Sequence, residues 1–149
     1  PSGGIQMTNR YKISKILSAN DTGETKAHQA GILIPKEERI LRFFPRLDSK
    51  EKNPRTILIV RDSLSNKWKF NFIYYNNKFF GGTRNEYRLT GMTGYIKSNN
   101  LKAGDEIFLE KDDENRYFIS YQKTEGISEE TPDYGTRLKL GNKWKIISF

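Results

Sequence analysis

The 149-residue chain contains no cysteine. Disulfide frameworks, cysteine-ligated zinc, iron–sulfur clusters and thiol catalysis are therefore excluded. Histidine is nearly absent too: His28 stands alone, so a Ser/His/Asp arrangement has no supporting pattern. No apolar run approaches the ~20 residues of a membrane-spanning helix. Gly-rich phosphate cradles followed by Lys-Ser/Thr are missing as well. Acidic-x-Lys spellings of the nuclease type occur at Glu24-Thr25-Lys26 and Asp48-Ser49-Lys50, but off any predicted strand. The sequence is accordingly expected to hold no catalytic residue, no metal ligand and no cofactor of its own. With no cysteine and no apolar leader, it reads as cytoplasmic and not membrane-bound.

Positive charge, by contrast, is in surplus. Lys and Arg total 26 against 18 for Asp and Glu, a formal net charge of +8. Residues 1–100 carry 18 basic and 8 acidic side chains, whereas residues 101–149 carry 8 and 10. A purely solubilising surface would spread the surplus evenly. Its concentration in the first two-thirds suits a face for a polyanion.

The first six residues precede Met7 and read as a cloning remnant, leaving residues 7–149 as one domain. The rest is mainly β, written as short strands between turn clusters. Strands are expected over residues 11–17, 28–34, 56–61, 68–75, 84–90, 106–110, 117–122, 138–140 and 144–149. The β-branched run 56–61 suits a strand buried on both faces. Short helices are expected within 36–44 and 95–99, and an exposed loop over 125–133. Short strands in this number, with two short helices, imply a barrel-like closure rather than a flat sheet with two edges. No exposed apolar stripe is apparent, which favours a monomer.

Two stretches could carry recognition chemistry. Residues 18–31 are too long for a hairpin turn and rich in polar side chains, the composition also of an ordinary surface loop. In the second, an extended 84–90 would place Arg84, Glu86 and Arg88 on one face at about 6.6 Å spacing. Such a comb is either a solvated, self-neutralising face or a reader of base edges. Arginine binds guanine O6 and N7 bidentately, and a carboxylate accepts from the cytosine amino group.

The same stretches resemble one family. Ser18-Ala19-Asn20-Asp21-Thr22-Gly23, His28-Gln29-x-Gly31 and Ile34-Pro35 are similar to the first DNA-reading arm of the amino-terminal domain of EcoRII-type restriction endonucleases. Ile73-Tyr74-Tyr75-Asn76, Phe80-Gly81 and Thr83-Arg84-Asn85-Glu86-x-Arg88 resemble its second arm. Residues 95–107, with Gly104-Asp105 before a strand, are similar to a segment of the plant B3-type DNA-binding domain.

The resemblance implies a seven- or eight-stranded open pseudobarrel whose two arms grip duplex DNA in the major groove, at a short site of the CCWGG kind. It makes His28, Arg84, Glu86 and Arg88 the principal contacts. Asn20, Asp21, Thr22, Lys26, Gln29, Thr83 and Asn85 are then secondary. The family pattern has tyrosine where Leu33 stands, and lysines at Gly82 and Tyr87. Cleavage would belong to a covalently linked, Mg-dependent catalytic domain absent from this chain, so the chain alone is expected to bind without cutting. A single-stranded nucleic-acid binder on an OB-like barrel is the alternative, prompted by 19 aromatic residues beside a basic surface. A nuclease in its own right is the third reading.

Overall fold

Alternating apolar residues along each strand turn one side of a single sheet inward. A computed structural model describes residues 10–24, 30–124, 138–139 and 143–148. The first six residues and the expected loop at 125–133 lie outside them. The described strands are β1 (Tyr11–Ile16), β2 (Gly31–Ile34), β3 (Arg55–Arg61), β4 (Lys67–Tyr75), β5 (Glu86–Thr90), β6 (Glu106–Lys111), β7 (Tyr117–Gln122), β8 (Leu138–Lys139) and β9 (Trp144–Ser148). They form one sheet in the order β2-β5-β4-β3-β7-β6-β1-β9-β8. Among the described residues only the β3–β7 pairing is parallel, and it covers just Val60 and Arg61.

The sheet curls without closing its backbone ladder. Its edge strand β2 still comes within a side chain's reach of β9: the Trp144 indole donates to the Leu33 carbonyl at 3.2 Å. This is an open pseudobarrel of nine described strands, one more than the seven or eight that the resemblance implies, with two edges that full closure would have removed.

The concave side holds the core. Ile13, Ile32, Phe70, Phe72, Leu89, Ile107 and Trp144 are essentially solvent-free, each such side chain contributing about 1.5–3 kcal/mol. Two short helices pack into the curl. The first, α2 (Glu38–Leu41), is capped by the Glu37 carboxylate and brings Ile40, Phe43 and Phe44 inside. The second, α3 (Thr93–Ser98), buries Tyr95 and Ile96, with Tyr95 edge-on to Trp68. The run 56–61 departs from expectation. It alternates, with Leu58 and Val60 buried but Ile57 58% and Ile59 44% exposed. β3 is covered on one side only, so Ile57 and Ile59 form a short apolar strip that faces outward, where no such stripe was expected.

Candidate nucleic-acid interface

Register places two loops at opposite ends of one outward-facing floor. Gly31 pairs with Thr90 at one end of the β2–β5 ladder, and Glu86 opens β5 at the other. The chain therefore enters β2 from the first arm and β5 from the second about 13 Å apart, four strand residues at ~3.3 Å. That span is comparable to the ~12 Å width of a DNA major groove. Between them, Leu33, Arg88, Ile73 and Arg55 form one row across β2, β5, β4 and β3, in which Ile73 is buried, Arg88 half-buried and Leu33 and Arg55 exposed. Gly31, Thr90, Asn71 and Ile57 form the next. At Gly31 an added Cβ would meet the Leu89 carbonyl at 2.8 Å, so the arm joins the floor through a close backbone contact that only glycine permits.

The first arm begins with a one-turn helix, α1 (Ala19–Thr22). Its amino terminus is a capping box: the Ser18 hydroxyl accepts from Asp21 N at 3.1 Å, and the Asp21 carboxylate accepts from Ser18 N at 2.9 Å. This arrangement satisfies two helix-end donors reciprocally. The Asp21 carboxylate also takes the Lys15 ammonium at 2.7 Å, with both side chains under 10% exposed. Asp21 is thus turned inward, while Asn20 faces out and Thr22 is half-buried. The arm's stem is pinned to the Gly104–Asp105 corner. Leu17 and that corner exchange two backbone hydrogen bonds at 2.8 Å, and Ala103 N donates to the Glu24 carboxylate at 2.9 Å. Lys26, His28 and Gln29 lie outside the described residues.

Asparagine builds the second arm. Asn76 is fully buried, and its amide donates to the Ser49 and Glu51 carbonyls while accepting from Asn53 N. The next residue, Asn77, accepts from Arg84 N at 2.7 Å and sits against Gly82. A Cβ at Gly82 would lie 2.8 Å from the Asn77 side chain, so the glycine is matched to its neighbour. A 3-10 turn over Asn77–Phe80, ended by Gly81 at φ +93°, holds Phe79 65% and Phe80 43% exposed at the tip.

The comb stands beside that tip. Arg84 precedes β5 rather than lying within it, yet all three side chains meet. The Glu86 carboxylate takes Arg84 at 2.6 Å and Arg88 at 3.7 Å. Tyr75, opposite Glu86 in β4, carries the Arg84 guanidinium 3.8 Å above its ring centroid. Asn85 points elsewhere, accepting from the Tyr74 hydroxyl at 2.7 Å. Thr83 is exposed next to the glycines. Tyr87 stacks on Tyr74 at 4.2 Å, and burial pushes its phenol above the usual range. Its side chain is therefore occupied inside the curl, on the face opposite the comb.

Sequence patterning brought out the comb and both arms but missed the two exposed phenylalanines, the Tyr75 platform and Arg55. The available signal was the position of Phe79-Phe80 between Asn76-Asn77 and Gly81-Gly82, outside any alternating strand pattern. Among the described residues, no group of three or more His, Asp or Glu is placed to hold a metal ion, and no helix is long and apolar enough to cross a membrane.

Comparison with known proteins gives a consistent picture. A family model described as the amino-terminal region of restriction endonuclease EcoRII matches residues 7–105. The type II restriction enzyme EcoRII of Escherichia coli is 39% identical over 89 residues, covering 58% of this chain and 22% of that enzyme. Auxin response factor 11 of Oryza sativa subsp. indica is 28% identical over 109 residues, 73% of this chain and 10% of the factor. The chain thus spans a small part of either relative. Among solved structures, an Arabidopsis FUS3–DNA complex superposes with a TM-score of 0.57 at 22% identity, covering 74% of this chain and 94% of that one. The B3 domain of the UbaLAI restriction endonuclease, solved with cognate DNA, gives 0.54 at 21% identity, covering 76% and 67%. At these identities the likeness is one of fold.

Proposed function

The chain belongs to the EcoRII amino-terminal family, whose model spans most of its length, and on that premise we propose that it reads a short duplex DNA site for a restriction endonuclease. The observation that carries this reading is the floor between the arms. A single row delivers Arg88 to a surface flanked at one end by Asn20 and Thr22, and at the other by Arg84, Glu86 and the phenylalanine tip. Arginine and carboxylate side chains at such a surface can discriminate G and C in the major groove. Exposed phenylalanine suits the thymine methyl. The secondary contacts divide by placement: Asn20, Thr22 and Thr83 can reach a ligand, whereas Asp21 and Asn85 act by shaping their arms. His28, Lys26 and Gln29 complete the first arm in this reading. A site of the CCWGG kind agrees with a comb built for G and C.

The reading assigns cleavage to a covalently linked, Mg-dependent domain elsewhere in the protein, and the whole to the cytoplasm. Among the described residues no group of His, Asp or Glu is placed to hold that ion. A single-strand binder is disfavoured by the aromatic residues, since Phe70, Phe72 and Tyr95 are consumed by the core rather than displayed for base stacking. Selection of bound duplexes from a random pool tests the proposal. A single enriched motif is expected, and Arg88→Ala should relax one of its positions by ~1–3 kcal/mol. Recovery of unenriched pool, or of single strands in preference to duplex, would overturn it.

A further inference from the structure

Beyond the two arms, the outward side of the β3–β4 hairpin carries a second cationic surface. Arg61 and Lys67 stand directly opposite each other in the antiparallel register, both exposed. Like charges in that position repel and weaken strand pairing. A face needing only polar cover would put an acid on one side, yet neither β3 nor β4 contains an Asp or Glu. Asp62, next in sequence, is already occupied. Its carboxylate accepts from Leu64 N, Asn66 N and the Trp68 indole at 2.9 Å each, and from the Asn66 amide at 3.3 Å. Lys69, also exposed, stands opposite Ile59 one row nearer the floor. Among the described residues, none of these three cations has an ion-pair partner. Outward residues repeat every ~6.6 Å along a strand, so Lys67 and Lys69 continue the track that Asn71, Thr90 and Gly31 begin at the root of the first arm.

The geometry points to a second DNA-contact site, in which Arg61, Lys67 and Lys69 bind the phosphodiester backbone of duplex flanking the sequence held by the arms. This inference rests on the proposal that the arms read duplex DNA, and adds how far the bound duplex extends. Duplex DNA offers one negative charge per ~1.7 Å of axis, so cations spread over two rows find phosphates whatever the sequence. The site therefore supplies affinity without discrimination, and relieves the repulsion between Arg61 and Lys67 only when occupied.

Two duplexes carrying the same pool-selected site provide the test: one trimmed to the site, the other extended by roughly ten base pairs, one helical turn, on each side. The natural sequence should bind the longer duplex roughly tenfold more tightly, with about three additional phosphates neutralised. The triple variant Arg61→Gln, Lys67→Gln, Lys69→Gln should bind the trimmed duplex as before and lose the gain from length. Its slope of log K against log salt on the longer duplex should flatten by about 2 to 3. Because the substitutions remove a repulsion, thermal unfolding should show no loss of stability. Equal affinities of the natural sequence for both lengths, or equal weakening of the variant on both, would overturn the second site while leaving the arms intact. Failure of the natural sequence to prefer the trimmed site over a scrambled one would instead indict the reading of the arms.

Discussion

The guanidinium of Arg84 lies 3.8 Å from the ring centroid of Tyr75. Held on that platform, it meets Glu86 at 2.6 Å, and Glu86 in turn lies 3.7 Å from Arg88. The two guanidiniums are therefore partly neutralised before any ligand arrives. One carboxylate thus sets both the aim of the comb and its appetite for phosphate.

Glu86→Gln should separate these effects. Freed of their internal partner, Arg84 and Arg88 would attract any phosphate, so affinity for a scrambled duplex rises and its salt slope steepens by about one or two. Loss of the carboxylate acceptor should cost the selected duplex ~1–3 kcal/mol of discrimination. Competition titrations at two salt concentrations measure both. An unchanged preference for the selected site would remove Glu86 from recognition.

Phe79 offers a cleaner dissection, because it is 65% exposed and contributes little to the core. Phe79→Ala should alter folding stability by no more than ~0.5 kcal/mol while weakening duplex binding by ~1 kcal/mol or more, as truncation of an aromatic anchor does. Thermal unfolding and a binding titration on the same sample decide it. A stability loss with binding intact would make the tip structural.

The buried Lys15–Asp21 pair predicts a different pattern. Asp21→Ala leaves the Lys15 ammonium buried without its partner and should cost ~3–5 kcal/mol. Replacing both residues with apolar side chains should cost far less. Urea unfolding of the single and double variants checks this. Additive losses would show that the two residues are not coupled.

Acid should unfold the domain partly through Asp105. Burial pulls its carboxyl upward, but hydrogen bonds from the Lys123 ammonium and from the backbone of Lys102 and Thr124 outweigh that and hold it below the ordinary carboxylate range. A carboxyl lower in the folded than in the unfolded chain binds protons later on folding. Its stabilisation is therefore complete above the unfolded value near ~3.9 and is lost as pH falls below it. Asp105→Asn should flatten the decline in unfolding free energy between roughly pH 5 and 2. An acid limb identical to that of the natural sequence would assign the decline to other carboxyls. The Leu17 amide bonds the backbone carbonyl of Asp105, which asparagine keeps, so the same variant should leave the stem of the first arm in place.

How much of this was legible in sequence follows from what each residue touches. Alternation in 68–75 and 117–122 marks strands directly, because each side chain's face is fixed by period two. The comb was legible for the same reason, although Arg84 reaches it from outside the strand by stacking on Tyr75, which no spacing rule contains. The β-branched run 56–61 misled because composition cannot tell a doubly buried strand from one whose isoleucines face outward. Asp21 read as a ligand-facing residue of a polar loop. Its inward turn depends on Lys15, six residues away on the preceding strand, and on a capping box visible only once Ser18 is known to start a helix. Asn76, Asn77 and Gly82 were invisible as a set, since their contacts run from 49 to 84 in sequence and exist only after the sheet has formed.

Amide chemical-shift mapping with the pool-selected duplex bears most directly on the location of the interface. Shifts should concentrate at residues 20–23, 79–88 and the outward row of Leu33, Arg88 and Arg55, with β9 and the interior of β6 silent. Perturbations centred on β6 and β9, with residues 79–88 unmoved, would contradict it.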